Sequence, residues 1–422
     1  MCNLNIEIIE TKTVPTVQIQ HNGQQKIFHS KYDPLNEANR WVQTEIELVE
    51  LDYSITILGL GAGYHVMEIA RLHPDSEINV IEFNESYYNW FIRSPFAYKM
   101  NEFKNVNISM IDSLTQDQQQ KIFSPEFTNN VLIHKSALDI LPLKFLGIED
   151  TLKDIQMKQR SIRLQIENMN NNFEKNSFLN DKGIAELYNQ WQDQPAILVS
   201  AGPSLNKQLP LLKKIQKQGN IHICSVGTAV KPLLQSGITP EIIVIIDPNP
   251  STFDQLTTLD LPDTSLFYLS TAFHDTIQLH TGSRRILFQG GFDKAVDSAR
   301  QRKEPLIKTG GSVATALLDL LVYFGANPIA LVGQDLAYTD NLSHTDGAYA
   351  QKVISGSLTV LDYYQQEQVT TERNLNSYRR WFEKYVEQNT DVQFFNCTEG
   401  GAYITNWKHI SLADFYEMYP AK

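Results

Sequence analysis

Two stretches of this chain read strand, glycine-rich turn, helix, strand, and nothing else in it constrains the fold as much. The first runs from Ile55 to Asn84 (ITILGLGAGYHVMEIARLHPDSEINVIEFN) and the second from Pro195 to Gly227 (PAILVSAGPSLNKQLPLLKKIQKQGNIHICSVG). A chain that leaves a buried strand and turns back at once as a helix needs residues without a Cβ at the corner, and this is the start of a Rossmann-like unit. The runs Ile55–Leu58, Ile78–Phe83, Val106–Ile111 and Asn130–His134 are continuously apolar or nearly so, as parallel strands covered on both faces are. Ile242–Ile246, Ser265–Ser270, Arg285–Phe288, Pro328–Val332 and Val392–Asn396 supply the strands of the second block. Ahead of the first unit, Ile6–Ile9, Thr16–Gln20 and Lys26–Ser30 read as short strands, with a hairpin turn at His21-Asn22-Gly23.

Between the blocks, residues 148–191 hold no proline and no glycine before Gly183, and place Ile155, Ile162, Ile166, Met169 and Phe173 at helical spacing. This predicts a long helix, then a shorter capped one, joining the blocks. Residues 351–390 read as polar and helical, and ISLADFYEMY near the end as a capped amphipathic helix. The expected fold is α/β: two Rossmann-like domains joined by a helical connector, with a C-terminal helical region. The expected boundaries are an N-terminal domain over 1–147, a connector over 148–191, a nucleotide-sugar-binding domain over 192–350, and a region over 351–422 completing it.

Charge narrows the partners. With 36 Lys+Arg against 48 Asp+Glu the net charge is −12, which lacks the footprint of a nucleic-acid binder or a polybasic membrane patch. Three scattered cysteines make neither a disulfide framework nor a zinc site. The N-terminus carries no secretory pattern and no apolar run approaches a membrane span, so the expectation is a cytoplasmic protein. The sequence leaves the oligomeric state open.

The first turn, Gly59–Gly63, with Glu82 closing the next strand, has the outline of a dinucleotide or S-adenosylmethionine site. No catalytic constellation follows it before residue 148, and tight strand–helix packing is the preferred reading. In the second turn Gly202 permits close backbone approach, Pro203 suits a first helical position, and Ser204 precedes N–H groups at the positive end of a helix. A phosphate is the preferred occupant. Gly310, Gly311 and Ser312 open a second helix of the same kind, suited to a base or phosphate or else to close helix packing. Asp247, at a strand's carboxyl end, is equally a sugar or metal contact and a cap for its own loop. Gly333-Gln334-Asp335 ends a buried strand before a loop carrying Tyr338, Thr339, Ser343, His344 and Asp346. There His344 is the candidate acid or base and Asp335 foremost a structural carboxylate. Glu399, in Thr398-Glu399-Gly400-Gly401, orders the site or activates a hydroxyl, or else caps its turn. There is no Walker A loop, no HExxH, no GxSxG and no CxxC pair.

Taken in order, GLGAGYH with IEFN, SAGPSLN, GITPEIIVIIDP, TGGSVA, GQDLAYT…SHTDG and NCTEGGAYI resemble the motility-associated factor (Maf) glycosyltransferases, which modify flagellin. The match covers about residues 55–405. The family's central domain is similar to bacterial sialyltransferases that use CMP-activated nine-carbon sugar acids. The resemblance implies a CMP-activated nonulosonic acid donor, such as the pseudaminic or legionaminic form, and flagellin Ser/Thr acceptors. It places Gly202, Pro203 and Ser204 at the nucleotide phosphate, and Thr228 at a polar donor contact. Gly311, Ser312 and Val313 would line the cytidine pocket. His344 would be the base, and Tyr338 would face the leaving phosphate. No cofactor is required on this reading, although Asp247 and Asp335 leave room for a divalent metal. The Gly-Pro-Ser turn also resembles archaeal-type pterin diphosphokinases, the alternative from another reaction class. A non-catalytic flagellin-binding protein is the third reading.

Overall fold

A computed structural model describes residues 4–21, 23–49, 54–123, 130–339, 342, 344–345 and 358–420. The chain divides into two compact units, Met1–Leu164 and Gln165–Lys422. Both carry parallel sheets, so the α/β class is borne out.

In the first unit, β1 (Asn5–Ile9), β2 (Thr16–His21) and β3 (Gln24–Ile27) form a small antiparallel sheet. β4 (Ile55–Leu58), β5 (Ile78–Glu82), β6 (Val106–Met110) and β7 (Val131–Ile133) form a parallel sheet in the order β6-β5-β4-β7. The chain steps outward from β4 to β6 and then returns to the other side of β4, so the order reverses between β4 and β7. One element escaped sequence reading: residues 34–45, taken as part of a region of strands and turns, form a helix. Asp33 caps it, Pro34 starts it, and Ala38 and Val42 are its buried stripe.

The glycine turn of this unit is packed by protein, as its preferred reading held. A Cβ on Gly59 would lie 2.7 Å from Ser136 Oγ, and one on Gly63 would lie 2.4 Å from Met100. Glu82 is fully buried, and its carboxylate accepts the N–H groups of Leu60 (3.2 Å), Phe83 (2.8 Å) and Asn84 (3.0 Å). It therefore ties the turn to the sheet. Burial pushes its pKa up from 4.5 to about 7, against the pull of those N–H groups. A raised folded-state pKa gives stability that is complete below pH 4.5 and lost as the pH rises through about 7. We expect Glu82→Gln to be less stable than wild type in acid, with the gap narrowing between pH 4.5 and about 7. Thermal melts of both proteins across that range check this, and a constant gap would show that Glu82 does not titrate there.

In the second unit, β8 (Ala196–Val199), β9 (His222–Val226), β10 (Ile242–Ile245), β11 (Ser265–Leu269), β12 (Arg284–Gln289), β13 (Leu306–Ile307) and β14 (Ile329–Val332) follow in sequence. A hairpin of β15 (Leu358–Leu361) and β16 (Gln368–Thr371) comes next, then β17 (Phe394–Asn396) and β18 (Lys408–His409). The main sheet has nine strands in the order β13-β12-β11-β10-β9-β8-β14-β17-β18, and its registered pairs are all parallel. β8, β10 and β14 are buried at every residue, which explains their unbroken apolar runs. Two expectations need correction. The hairpin replaces helix over residues 358–371, and helix begins only at Arg373; Thr359, Val360, Val369 and Thr370 are β-branched and pair across the hairpin. Beyond the 32-residue helix Leu146–Ser177, the shorter helix is reduced to a single 3-10 turn, Ala185–Leu187. Asn180, Asn189 and Asp193 sit at positive φ there, which an α-helix does not tolerate.

Candidate active site

In an open parallel sheet, ligands bind beyond the carboxyl ends of the strands where the strand order reverses. In the second unit that point lies between β8 and β14. The turn Ser200–Asn206 leaves β8, and Gly333-Gln334-Asp335 leaves β14, so both motifs meet there.

They meet through Asp335. Its carboxylate is buried and accepts the Ser204 hydroxyl at 2.6 Å, the Thr339 hydroxyl at 2.5 Å and the Ser204 N–H at 3.3 Å. Burial pushes the Asp335 pKa up, opposed by the hydroxyls of Ser204 and Thr339, the Ser204 N–H and the charge of Lys207. The turn presses directly on this group. A Cβ on Gly202 would lie 2.0 Å from Asp335 Oδ1 and 2.5 Å from the Gly333 carbonyl oxygen, which already accepts the Gly202 N–H at 2.8 Å. Gly401, after β17, is as tight: its Cβ would fall 2.1 Å from the Asp335 carbonyl oxygen, at a φ of +73°. Ser200 Oγ donates to Gln334 Oε1 at 2.5 Å, a second clip between the same segments.

The donors of the first glycine-opened helix are therefore spent within the protein. The helix starts at Leu205, after Pro203, and both the N–H and the hydroxyl of Ser204 belong to Asp335. Glu399 joins this cluster from the other side. It is half-buried at a φ of +53°, its carboxylate accepts the Gln208 side chain, and its carbonyl accepts Lys207 Nζ at 3.4 Å. His344 is half-buried, and its neighbour Thr345 donates its N–H to the Ala201 carbonyl at 2.9 Å and its hydroxyl to Asn206. This sets His344 beside the Ser200–Asn206 turn. Ser343 and Asp346 lie outside the described residues.

A second group of predicted residues gathers around the helix Val313–Tyr323. Among the described residues, the N–H groups of Gly311, Ser312, Val313 and Ala314 have no hydrogen-bond acceptor, and Ser312 Oγ is buried without a partner. These are the open donors that the first helix lacks. Trp381 and Tyr378 flank them: a Cβ on Gly310 would lie 2.5 Å from the Trp381 ring, and one on Gly311 would lie 3.3 Å from Tyr378. Burial first, then the carboxylates of Glu372 and Asp247, raise the Tyr378 pKa. Asp247 Oδ1 also accepts the N–H of Asn249 at 2.9 Å, so it caps its own loop as well. The buried Tyr338 likewise faces Glu372, and burial first, then that carboxylate, raise its pKa. Thr228 is half-buried in the 3-10 turn after β9. Arg285 pairs with Glu186 at 2.7 Å.

Sequence reading missed Glu372, Tyr378 and Trp381 as site residues, because they lie on a helix known only as polar. It also missed an asparagine ladder within the connector. Asn172 donates to the carbonyls of Pro248 and Thr271 (2.9 and 3.3 Å), and Asn176 to those of Ser270 and Ala272 (3.0 and 2.8 Å). One helical turn apart, these side chains hold the loops that follow β10 and β11. Two buried-facing asparagines at that spacing were the available signal.

Residues 165–341 match the family described as 6-hydroxymethylpterin diphosphokinase MptE-like. The fold is similar to the structure of a Maf glycosyltransferase from Magnetospirillum magneticum AMB-1, with a TM-score of 0.51 and 14% identity, covering 96% of this chain and 70% of that one. No curated protein matches the chain. No helix among the described residues is long and apolar enough to cross a membrane. The chain thus carries an MptE-like region over residues 165–341 and, as its motifs led one to expect, resembles the Maf glycosyltransferases in fold.

Proposed function

We infer that the protein is a glycosyltransferase that moves a nonulosonic acid from its CMP-activated donor to Ser or Thr of flagellin. The observation that carries this reading is the extent of the likeness: it spans both units of the chain, whereas the MptE-like match is confined to 165–341. The mouth at the Val313–Tyr323 helix suits the donor. Its open N–H groups and Ser312 hydroxyl are aimed where an anionic leaving group gains charge, and two aromatic rings stand beside them. Asp335 holds the β8 and β14 turns together and acts by positioning. His344 takes the proton of the acceptor hydroxyl, the hydroxyl oxygen attacks the anomeric carbon, and the bond from that carbon to the CMP phosphate breaks.

The diphosphokinase reading draws on the family description of residues 165–341. It calls for carboxylates free to hold Mg²⁺ with ATP. Asp335 already serves three donors, and Asp247 serves its own loop.

Intact-mass measurement of flagellin from cells with and without this protein tests the proposal. Loss of a mass increment equal to a nine-carbon sugar acid supports it, and an unchanged mass contradicts it. A folded His344→Ala variant is expected to lose about a hundredfold in transfer rate, the lower range for removal of a general base. Full activity in that variant would exclude His344 as the base.

A further inference from the structure

The strand order of the first unit reverses between β4 and β7, and the position where such a fold receives a ligand is filled by three histidines. His29 follows β3, His65 lies on the first turn of the helix Tyr64–Leu72, and His134 follows β7 directly. All three are buried, at 1%, 0% and 1% exposure. One nitrogen from each ring lies within 4.8 Å of one from each of the others. The His65 and His134 rings stack at 4.0 Å between centroids, and His29 stacks on His134 at 4.9 Å.

Buried polar atoms are ordinarily satisfied, and here two are not. His29 gives Nδ1 to the Glu37 carboxylate at 2.7 Å, and its Nε2 has no partner. His65 gives Nε2 to the Gly59 carbonyl at 3.1 Å, and its Nδ1 has no partner. In each case the bonded nitrogen carries the proton, so the other presents a lone pair. His134 places Nδ1 2.8 Å from Ser136 Oγ, so Nε2 is its candidate ligand atom. The Ser136 N–H also lies 3.4 Å from that Nδ1, so ligation selects the tautomer in which Nδ1–H donates to the hydroxyl. Gly61 makes the space: a Cβ there would lie 2.9 Å from His29 Nε2 and 3.0 and 3.1 Å from Cε1 of His134 and His65.

We propose that His29, His65 and His134 bind one divalent transition metal ion of the zinc class. Three imidazoles are a recurrent ligand set for such an ion, with a solvent molecule completing the tetrahedron. The His65 and His134 rings lie 12° from parallel, so ligation requires them to turn until both lone pairs meet at one ion; the groups behind the rings suit the site. Glu37 orients His29 and raises its basicity, as carboxylates behind metal-bound histidines do, and Lys135 lies 3.4 Å from the other Glu37 oxygen. Burial keeps the three rings neutral, the form that ligates, and carries His65 down to about 3. The ion would tie β3, the glycine turn and β7 together, which makes GLGAGYH a metal-supported corner of the fold rather than a nucleotide loop.

The test uses the full chain, stripped with chelator and freed of any affinity tag. Titration with Zn²⁺ is expected to show one ion per chain, and Co²⁺ to give the visible absorption of a tetrahedral site. Glu37→Gln, which leaves all three ligands in place, is expected to weaken Zn²⁺ binding about 10–100-fold. His65→Gln is expected to abolish the Co²⁺ spectrum. If His65→Gln does not fold, the wild-type stoichiometry and the Glu37→Gln affinity decide. Failure of the wild type to bind either ion overturns the proposal. So does binding whose affinity Glu37→Gln leaves unchanged.

Discussion

Gly202→Ala is expected to disrupt the second unit's site severely. The added Cβ would fall 2.0 Å from Asp335 Oδ1 and 2.5 Å from the Gly333 carbonyl oxygen. Neither neighbour is the free end of a flexible side chain. Gly333 is backbone just past the interior strand β14, and Asp335 is fixed by Ser204, Thr339 and the Ser204 N–H. The turn must move off β14, breaking the 2.8 Å bond from the Gly202 N–H to Gly333 and loosening the Asp335 cluster. Overpacking of this kind, compounded by lost buried hydrogen bonds, costs about 4 kcal/mol or more. Denaturant unfolding checks the loss. A variant as stable as wild type would mean that the two turns are not in contact.

Asp335→Ala should follow closely. It strands two hydroxyls and one N–H that now share a buried carboxylate. Leaving these buried donors unsatisfied costs about 1–3 kcal/mol each, although relief of the carboxylate's own desolvation returns part of that. Asp335→Asn keeps the shape and one acceptor oxygen, so it should recover about half of the loss. Its amide must still place a donor against another donor. The pair of variants separates packing from charge: equal losses for Ala and Asn would show that the negative charge holds the turns, while a negligible loss for Asn would show that shape does.

The sequence revealed the sheets because the information is local. A nearly unbroken apolar run such as Ile55–Leu58 reads as a covered strand, and the glycine turn after it leads back over the sheet. The meeting of Ser204 with Asp335, 131 positions apart in the chain, was out of reach, since it depends on β8 and β14 being neighbours. For the same reason both glycine-opened helices read as open donor sites, with the phosphate preferred at Gly202–Ser204. Their difference arises only when Asp335 takes the donors of one and leaves those of the other open. The hairpin at 358–371 was read as helix because its polar residues mask the β-branched pairs that make it. His29, His65 and His134 carry no spacing motif, and only the crossover of β7 to the side of β4 brings them together.

The central claim is that the N-terminal mouth of the Val313–Tyr323 helix in the second unit receives a CMP-activated sugar. Calorimetric titration of the full chain with CMP, and separately with ATP and Mg²⁺, tests it most directly. The account predicts saturable binding of CMP and none of ATP with Mg²⁺. Binding of ATP with Mg²⁺ in place of CMP, or of neither, would contradict it.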